Sequence, residues 1–213
     1  MPPRSSDHPR PKEPMMAKSV LYMSMSLDGF IAGPNERIDN GLGDGGMRLH
    51  HWLMGSKAGE PVVQRPSGVN GEVWDAFMTT GAVVTGHGTR TLTDGWGGDH
   101  HDGVPLFFVD RDAARLQQDA PPRVTYLEDV AEAMDRARAA AGDRDVLVHG
   151  VGLTRHALAA GALDELHLHL IPVLLGQGRR LFENLPPDHV ELERLSTVEG
   201  EDGVTHLRYR VVV

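Results

Sequence analysis

Apolar positions fall into short runs separated by glycine-rich stretches, and the spacing inside each run predicts its structure. Ser19-Val20-Leu21-Tyr22-Met23-Ser24-Met25 reads as a strand that ends at the turn signal Asp28-Gly29. From Gly33 to Gly71 periodicity is weak, with apolar pieces around Leu49, Trp52 and Leu53. So long an aperiodic stretch is expected to be functional, and the insertion at about 34–70 reads as a lid over a cleft, with Trp52 and His50-His51 as its contacts. Asn70 is placed to cap a short helix with Val73, Trp74 and Phe77 on one face. Ala82 to Thr85, Pro105 to Val109 and Arg123 to Tyr126 are three further strands.

The clearest helix carries Leu127, Val130, Met134, Ala137 and Ala141 on a three-four rhythm and stops at Gly142. Thr125 and Glu128 have the spacing of a capping box at its start. Asp145 to His149 is a strand that turns at Gly150-Val151-Gly152 into a helix from about Leu153 to Ala160. Leu166, Leu168 and Leu170 alternate with His167 and His169, which gives a strand with one apolar face. Val190 to Val198 and Val204 to Val212 form a hairpin around Glu201-Asp202-Gly203. The alternation of strands and helices predicts a single α/β domain over 17–213, closed by an antiparallel hairpin on the sheet edge.

Composition narrows the function. The 213 residues suit one domain with a tail or insertion. The absence of cysteine removes disulfides, zinc ribbons and thiolate nucleophiles together. A net charge of −9 argues against general binding to nucleic acid or an anionic membrane, since both need a basic footprint. No run approaches the roughly 18 apolar residues of a membrane span. Met1 to Pro14 holds five prolines and several charges but no apolar core of a signal peptide. Residues 1–16 are expected to be a disordered leader, or a start placed upstream of Met15 or Met16, and the cytoplasm is the expected location.

Two glycine turns follow strands. Gly150-Val151-Gly152 allows backbone to approach a phosphate while the first amides of the next helix point at it. Gly86-His87-Gly88-Thr89 is the second. Ligands of open α/β sheets bind outside the carboxyl ends of strands, so these turns and Asp28-Gly29 suggest one crevice. Tight turns without a ligand remain the alternative, because neither matches the dinucleotide fingerprint. His50-His51, Asp99-His100-His101-Asp102 and His167-x-His169 contain metal-ligand types. Twelve histidines make such pairs frequent by chance, so solvated or dimer-facing side chains are expected instead of a metal site. Asp164 and Glu165 point to opposite faces of a strand and read as a solvated turn.

Met25-Ser26-Leu27-Asp28-Gly29-Phe30-Ile31-Ala32-Gly33 resembles the opening strand and loop of the dihydrofolate reductase-like superfamily. A second stretch begins at Gly161-Ala162-Leu163-Asp164-Glu165-Leu166. It continues through Ile171-Pro172-Val173-Leu174-Leu175-Gly176-Gln177-Gly178 to Arg180-Leu181-Phe182. It is similar to the C-terminal reductase domain of the bifunctional riboflavin-biosynthesis deaminase–reductase. The likeness runs from about Lys18 to Val213 and includes no counterpart of the deaminase half.

The resemblance implies a mostly parallel, twisted central sheet flanked by helices. It implies NADPH along the carboxyl edge and hydride transfer to a small pterin- or pyrimidine-like heterocycle. Ala32 and Gly33 match the loop near the nicotinamide, and Gly86, His87 and Thr89 the segment beside the phosphates. Asp110 and Arg111 match the contact to the adenosine 2′-phosphate. Gly150, Val151, Gly152, Leu153 and Thr154 match the pyrophosphate loop. Asp28 matches a position facing the substrate cleft, and is the candidate for orienting substrate or relaying a proton. His87 replaces the usual arginine, and Gly-Val-Gly replaces a Gly-Gly pair. These departures leave NADH open as the cofactor, with Arg90 or Arg111 able to compensate. They also leave open a non-catalytic nucleotide-, flavin- or pterin-binding protein of the same fold. A homodimer is expected, through the strand carrying His167 and His169 or through the hairpin edge.

Overall fold

Residues 17–57, 60–185 and 189–212 are described in a computed structural model, and the leader expected at 1–16 lies outside them. The first half of the chain forms β1 (Ser19–Ser26), β2 (Phe30–Ala32), a 3-10 helix (Gly46–Leu53), β3 (Met54–Lys57), β4 (Glu60–Val63), α1 (Gly68–Met78), β5 (Ala82–Gly86), α2 (His87–Thr93) and β6 (Leu106–Val109). The second half forms α3 (Ala113–Leu116), β7 (Val124–Leu127), α4 (Val130–Ala141), β8 (Val146–His149), α5 (Val151–Ala159), β9 (Glu165–Ile171), β10 (Arg179–Arg180), β11 (Glu191–Glu199) and β12 (Thr205–Val212).

Eight strands make one sheet in the order β11-β12-β9-β1-β8-β5-β6-β7. The six from β9 to β7 run parallel, and β12 and β11 extend the β9 edge antiparallel. This is the dihydrofolate reductase-like arrangement that the sequence resemblance implies. Val20, Leu21, Tyr22 and Met23 are all buried. Leu21 and Met23 join a core with Met134 and Ala137 of α4 and Leu153 and Ala157 of α5. Val20 and Tyr22 face the opposite way, into a core with Leu106, Phe108 and Leu147. Burial on both faces is why β1 reads as a continuous apolar run. β8 enters between β1 and β5, so the connection order reverses there, the place where open α/β sheets bind ligands. No helix among the described residues is long and apolar enough to cross a membrane.

Several local expectations change. Asn70 does not cap α1. It lies buried inside the helix, and the amides of Val69 and Asn70 donate to the Glu201 carboxylate at 3.1 and 3.0 Å. Thr125 and Glu128 do not form a capping box, because Val124 to Leu127 is held extended against β6. Asp129 caps α4 instead, accepting from the Glu132 amide at 2.8 Å. α5 begins at Val151, two residues before the expected start.

The 34–70 segment is not a structureless lid. Asp44 accepts from the Asn35 and Asn40 amides at 2.7 and 3.0 Å, which folds its first part into a closed loop. A Cβ on Gly33 would lie 1.8 Å from the Asp44 carbonyl oxygen, so a glycine is needed there. Leu49 and Trp52 then anchor the 3-10 helix in a third core with Ile171 and Val204. The strand carrying His167 and His169 lies between β1 and β12, so its edges are already paired.

Candidate active site

The two glycine turns leave the carboxyl ends of neighbouring strands, β5 and β8. Gly150 has φ +91°, a conformation that L side chains rarely adopt, and a Cβ there would lie 2.5 Å from Thr89 Oγ1. Thr85 Oγ1 donates to the His149 carbonyl at 2.9 Å, fastening the strand ends together. Cβ positions on Gly86 and Gly152 meet nothing within 4 Å, so backbone borders open space on both turns. Val151 is half-buried beside them. Leu153 and Thr154 point inward and are buried, and Thr154 Oγ1 donates to the Gly150 carbonyl at 2.9 Å. Those two contribute backbone and packing only.

Asp110 ends β6 as a buried carboxylate. It accepts from His87 Nδ1 at 2.9 Å, Arg90 Nε at 3.0 Å and the Asp112 amide at 3.1 Å. Burial pushes its carboxyl up, but these hydrogen bonds outweigh burial and hold it below the usual carboxylate range. His87 and Arg90 are thereby tied to a structural acceptor, while Arg111 stays exposed beside them.

Ala32 and Gly33 are buried behind this edge, where β2 pairs with β10. Arg179 joins the two regions. It pairs with Ala32 in register, its Nε donates to Glu36 at 2.7 Å, and its Nη1 lies 3.6 Å from a Cβ built on Gly88. The sequence reading missed this cation, which reaches Gly88 from 91 positions along the chain.

Asp28, expected to face the substrate cleft, is held in place by a set of hydrogen bonds. Its carboxylate accepts from Ser26 Oγ at 2.6 Å and from the Leu175 and Gly176 amides at 3.1 and 2.7 Å. The Ser26 hydroxyl first, then those amides, lower its pKa to about 2. Asp28 is therefore ionised at neutral pH and fixes the β1–β2 turn to the 175–176 loop.

Beside the turns, over the carboxyl-terminal halves of β1, β8 and β9, lies a cavity of about 560 Å³. Tyr22, Trp52, Trp74, Phe77 and Trp96 form its aromatic walls. Trp52 Nε1 donates to Ser24 Oγ at 2.9 Å, and the indole packs against His169 at 4.7 Å between ring centres, tilted by 53°. Trp96 has φ +52° between Gly95 and Gly97, an unusual conformation for a bulky residue. It packs edge-on against His100 and His149 at 4.6 and 5.6 Å. An aromatic residue flanked by glycines in a loop is the sequence signal that was available for it.

His50, His100, His101, His149 and His169 supply the polar part of the wall. These side chains, with His167 and His206, are mostly buried and belong to the interior, contrary to the solvated or dimer-facing positions expected. The alternating pattern of β9 could not reveal this, because the cover on its histidine face comes from Trp52 and β12. Burial lowers His50 and His149 to about 4 and His100 to about 3, and lowers His169 well below its ordinary value. These imidazoles are thus uncharged at neutral pH. Nδ1 of His50 and of His149 is buried without a hydrogen-bond partner among the described residues. Among the described residues no group of three or more histidine or acidic side chains is arranged to hold a metal ion.

The sequence profile of the RibD C-terminal domain family matches residues 17–205. A candidate riboflavin biosynthesis protein of Shewanella sp. PV-4 is similar in structure, with a TM-score of 0.68 at 18% identity over 92% of this chain and 99% of that one. A Thermotoga maritima diaminohydroxyphosphoribosylaminopyrimidine deaminase/5-amino-6-(5-phosphoribosylamino)uracil reductase aligns with a TM-score of 0.59 at 14% identity. That alignment covers 92% of this chain but 57% of the bifunctional protein. Dihydrofolate reductase from Enterococcus faecalis, complexed with NADP(H), aligns with a TM-score of 0.55 at 14% identity over 93% of this chain and 98% of that one. At these identities the likeness shows the fold. No curated protein matches the chain by sequence.

Proposed function

The chain belongs to the RibD C-terminal domain family, and from that premise we propose that it is an NADPH-dependent reductase of a small pterin- or pyrimidine-like heterocycle. The observation that carries the reading is the pair of glycine turns at the ends of β5 and β8, with open space in front of Gly86 and Gly152. A pyrophosphate fits there because backbone can approach it without side chains between, and the α5 amides face the anion. Arg179 and Arg111 supply positive charge at the same edge. NADPH, when bound, supplies the hydride. The chain's own work is to hold the two rings in register and exclude water. His149 serves both regions, since it lines the aromatic cavity and directly precedes Gly150.

Arg111 is assigned to the 2′-phosphate because His87 and Arg90 are engaged by Asp110. NADPH at 100 times its dissociation constant should raise stability by about 2.7 kcal/mol, a shift of several degrees in a thermal melt. Arg111→Ala should weaken NADPH about tenfold and leave NADH unchanged, since one charge-assisted contact is worth about 1.5–3 kcal/mol. No shift with either nucleotide would overturn the reading.

The commitment of Asp28 to the Leu175 and Gly176 amides favours one alternative, a non-catalytic nucleotide-, flavin- or pterin-binding protein. NADPH oxidation in the presence of any member of a pterin, flavin and pyrimidine panel would eliminate it.

A further inference from the structure

Two histidine pairs end on the cavity wall, and hydrogen bonding fixes the tautomer of each. In the first, Glu201 holds the N-terminus of α1, and Asn70 Nδ2 donates to the Glu201 carbonyl at 3.4 Å. That orients the Asn70 amide with Oδ1 towards His206, 2.9 Å from its Nε2. A carbonyl oxygen can only accept, so His206 Nε2 carries a proton. In a neutral ring its Nδ1 is then an acceptor. His169 Nδ1 lies 2.9 Å from it and must donate. The proton of His169 is thus on Nδ1, and its Nε2 keeps a lone pair.

The second pair repeats the logic from the other side of the cavity wall. Thr80 Oγ1 donates to the Phe77 carbonyl at 2.9 Å and accepts from His101 Nε2 at 3.1 Å. His101 Nδ1 is left as an acceptor for His100 Nδ1, 2.8 Å away. His100 Nε2 therefore also keeps a lone pair. Neither Nε2 has a hydrogen-bond partner among the described residues. Neither is one of the two enclosed nitrogens, which belong to His50 and His149. His100 and His169 both line the cavity.

The rest of the lining is aromatic and aliphatic, apart from Ser24 and from Asp102, the one acidic side chain among the described lining residues. Flat aromatic walls favour a flat ring between them. Fixed acceptor nitrogens favour a ligand that brings hydrogen-bond donors, and a site built to pair donors rejects analogues that lack them. With no Lys or Arg among those lining residues, an anionic substituent would lose its hydration without a counter-charge.

We infer that this cavity takes an uncharged, planar heteroaromatic ring free of phosphate, whose ring N–H groups donate to Nε2 of His100 and His169. The inference deepens the reductase reading by naming the substrate class, and it rests on that reading for turnover only, not for binding.

The chain has three tryptophans, and all three line this cavity, so intrinsic fluorescence reports its occupancy directly. Three related probes, titrated without NADPH, test the assignment: lumazine, 1,3-dimethyllumazine and 6-carboxylumazine. The first has two ring N–H donors, the second none, and the third adds a negative charge. Lumazine is expected to quench the emission, with the dimethyl and carboxy compounds at least tenfold weaker. Absence of quenching by lumazine, equal binding of the dimethyl compound, or equal or tighter binding of the carboxylate would overturn the inference. His169→Asn places an amide where Nδ1 stands, so it can still donate to His206 while losing the Nε2 acceptor. It should abolish much of the preference for lumazine over the dimethyl compound, and an undiminished preference would remove His169 from the site. The wild-type comparison of the three probes decides the ligand class even where that variant does not fold. NADPH binding is measured separately, so a failure here and a failure of the reductase reading are distinguishable.

Discussion

Glu165 meets Lys18 Nζ at 2.6 Å, His167 Nε2 at 2.9 Å and Arg208 Nη2 at 3.2 Å, with 3% of its side chain exposed. Burial alone would raise its carboxyl, but the Lys18, His167 and Arg208 hydrogen bonds prevail and lower it to about 2. Unfolded, the same group titrates near 4.3, so its stabilisation is complete above that pH and is lost as pH falls towards 2. Glu165→Ala should cost about 1–3 kcal/mol at neutral pH through the lost hydrogen bonds to charged partners, while Lys18 and Arg208, both about half exposed, stay solvated. It should also flatten the loss of stability between pH 4.5 and 2, as read from urea denaturation at a series of pH values. Asp164 lies just before β9, and its carboxylate accepts from the Ser19 amide at 2.7 Å. Sequence logic could not show that Glu165 is interior, because Lys18 lies 147 residues away and Arg208 another 43. A charge reads as solvated until its distant partners are known.

At the scale of elements, the β8–α5 turn sets a glycine that the fold requires two residues from one that it does not. Gly150 needs its positive φ and the space beside Thr89, so Gly150→Ala should destabilise the protein by at least about 1–2 kcal/mol. Gly152 lies inside α5 with ordinary dihedrals and open space where its Cβ would be. Gly152→Ala should therefore stabilise the free protein by about 0.5–1 kcal/mol while weakening NADPH, because the methyl group projects into the cleft. A thermal melt with and without NADPH reads both effects, and weakening by Gly150→Ala alone would place the cofactor elsewhere. This turn was legible in the sequence since strand, glycines and helix are contiguous. The start of α1 was not. Its capping carboxylate comes from Glu201, 131 residues from Asn70. The start of α4 was misjudged more narrowly, because strand pairing to β6 overrides a capping pattern that is correct in isolation.

For the whole molecule, the buried histidines make acid the sensitive direction. His50 and His149 titrate near 4 and His100 near 3 when folded, all through burial, against about 6.5 when unfolded. Above pH 6.5 both states are neutral and the groups contribute no slope. Below it the unfolded chain gains protons that the folded chain refuses, so stability falls between pH 6.5 and 4. Each such histidine adds a slope of at most about 1.4 kcal/mol per pH unit. Denaturation midpoints should thus decline through this window, ahead of the Glu165 limb, and His149→Asn should reduce the decline. The parallel sheet also orders events in time. β1 is made before β8 and β9, its neighbours in the sheet, and the residue preceding it, Lys18, is tied to Asp145, 127 residues on. The central strand therefore leaves the ribosome long before either neighbour exists, while β5, β6 and β7 can already assemble. β1 is thus made before both of its sheet neighbours yet locked only after them, and until β8 emerges neither of its edges has a strand to pair with.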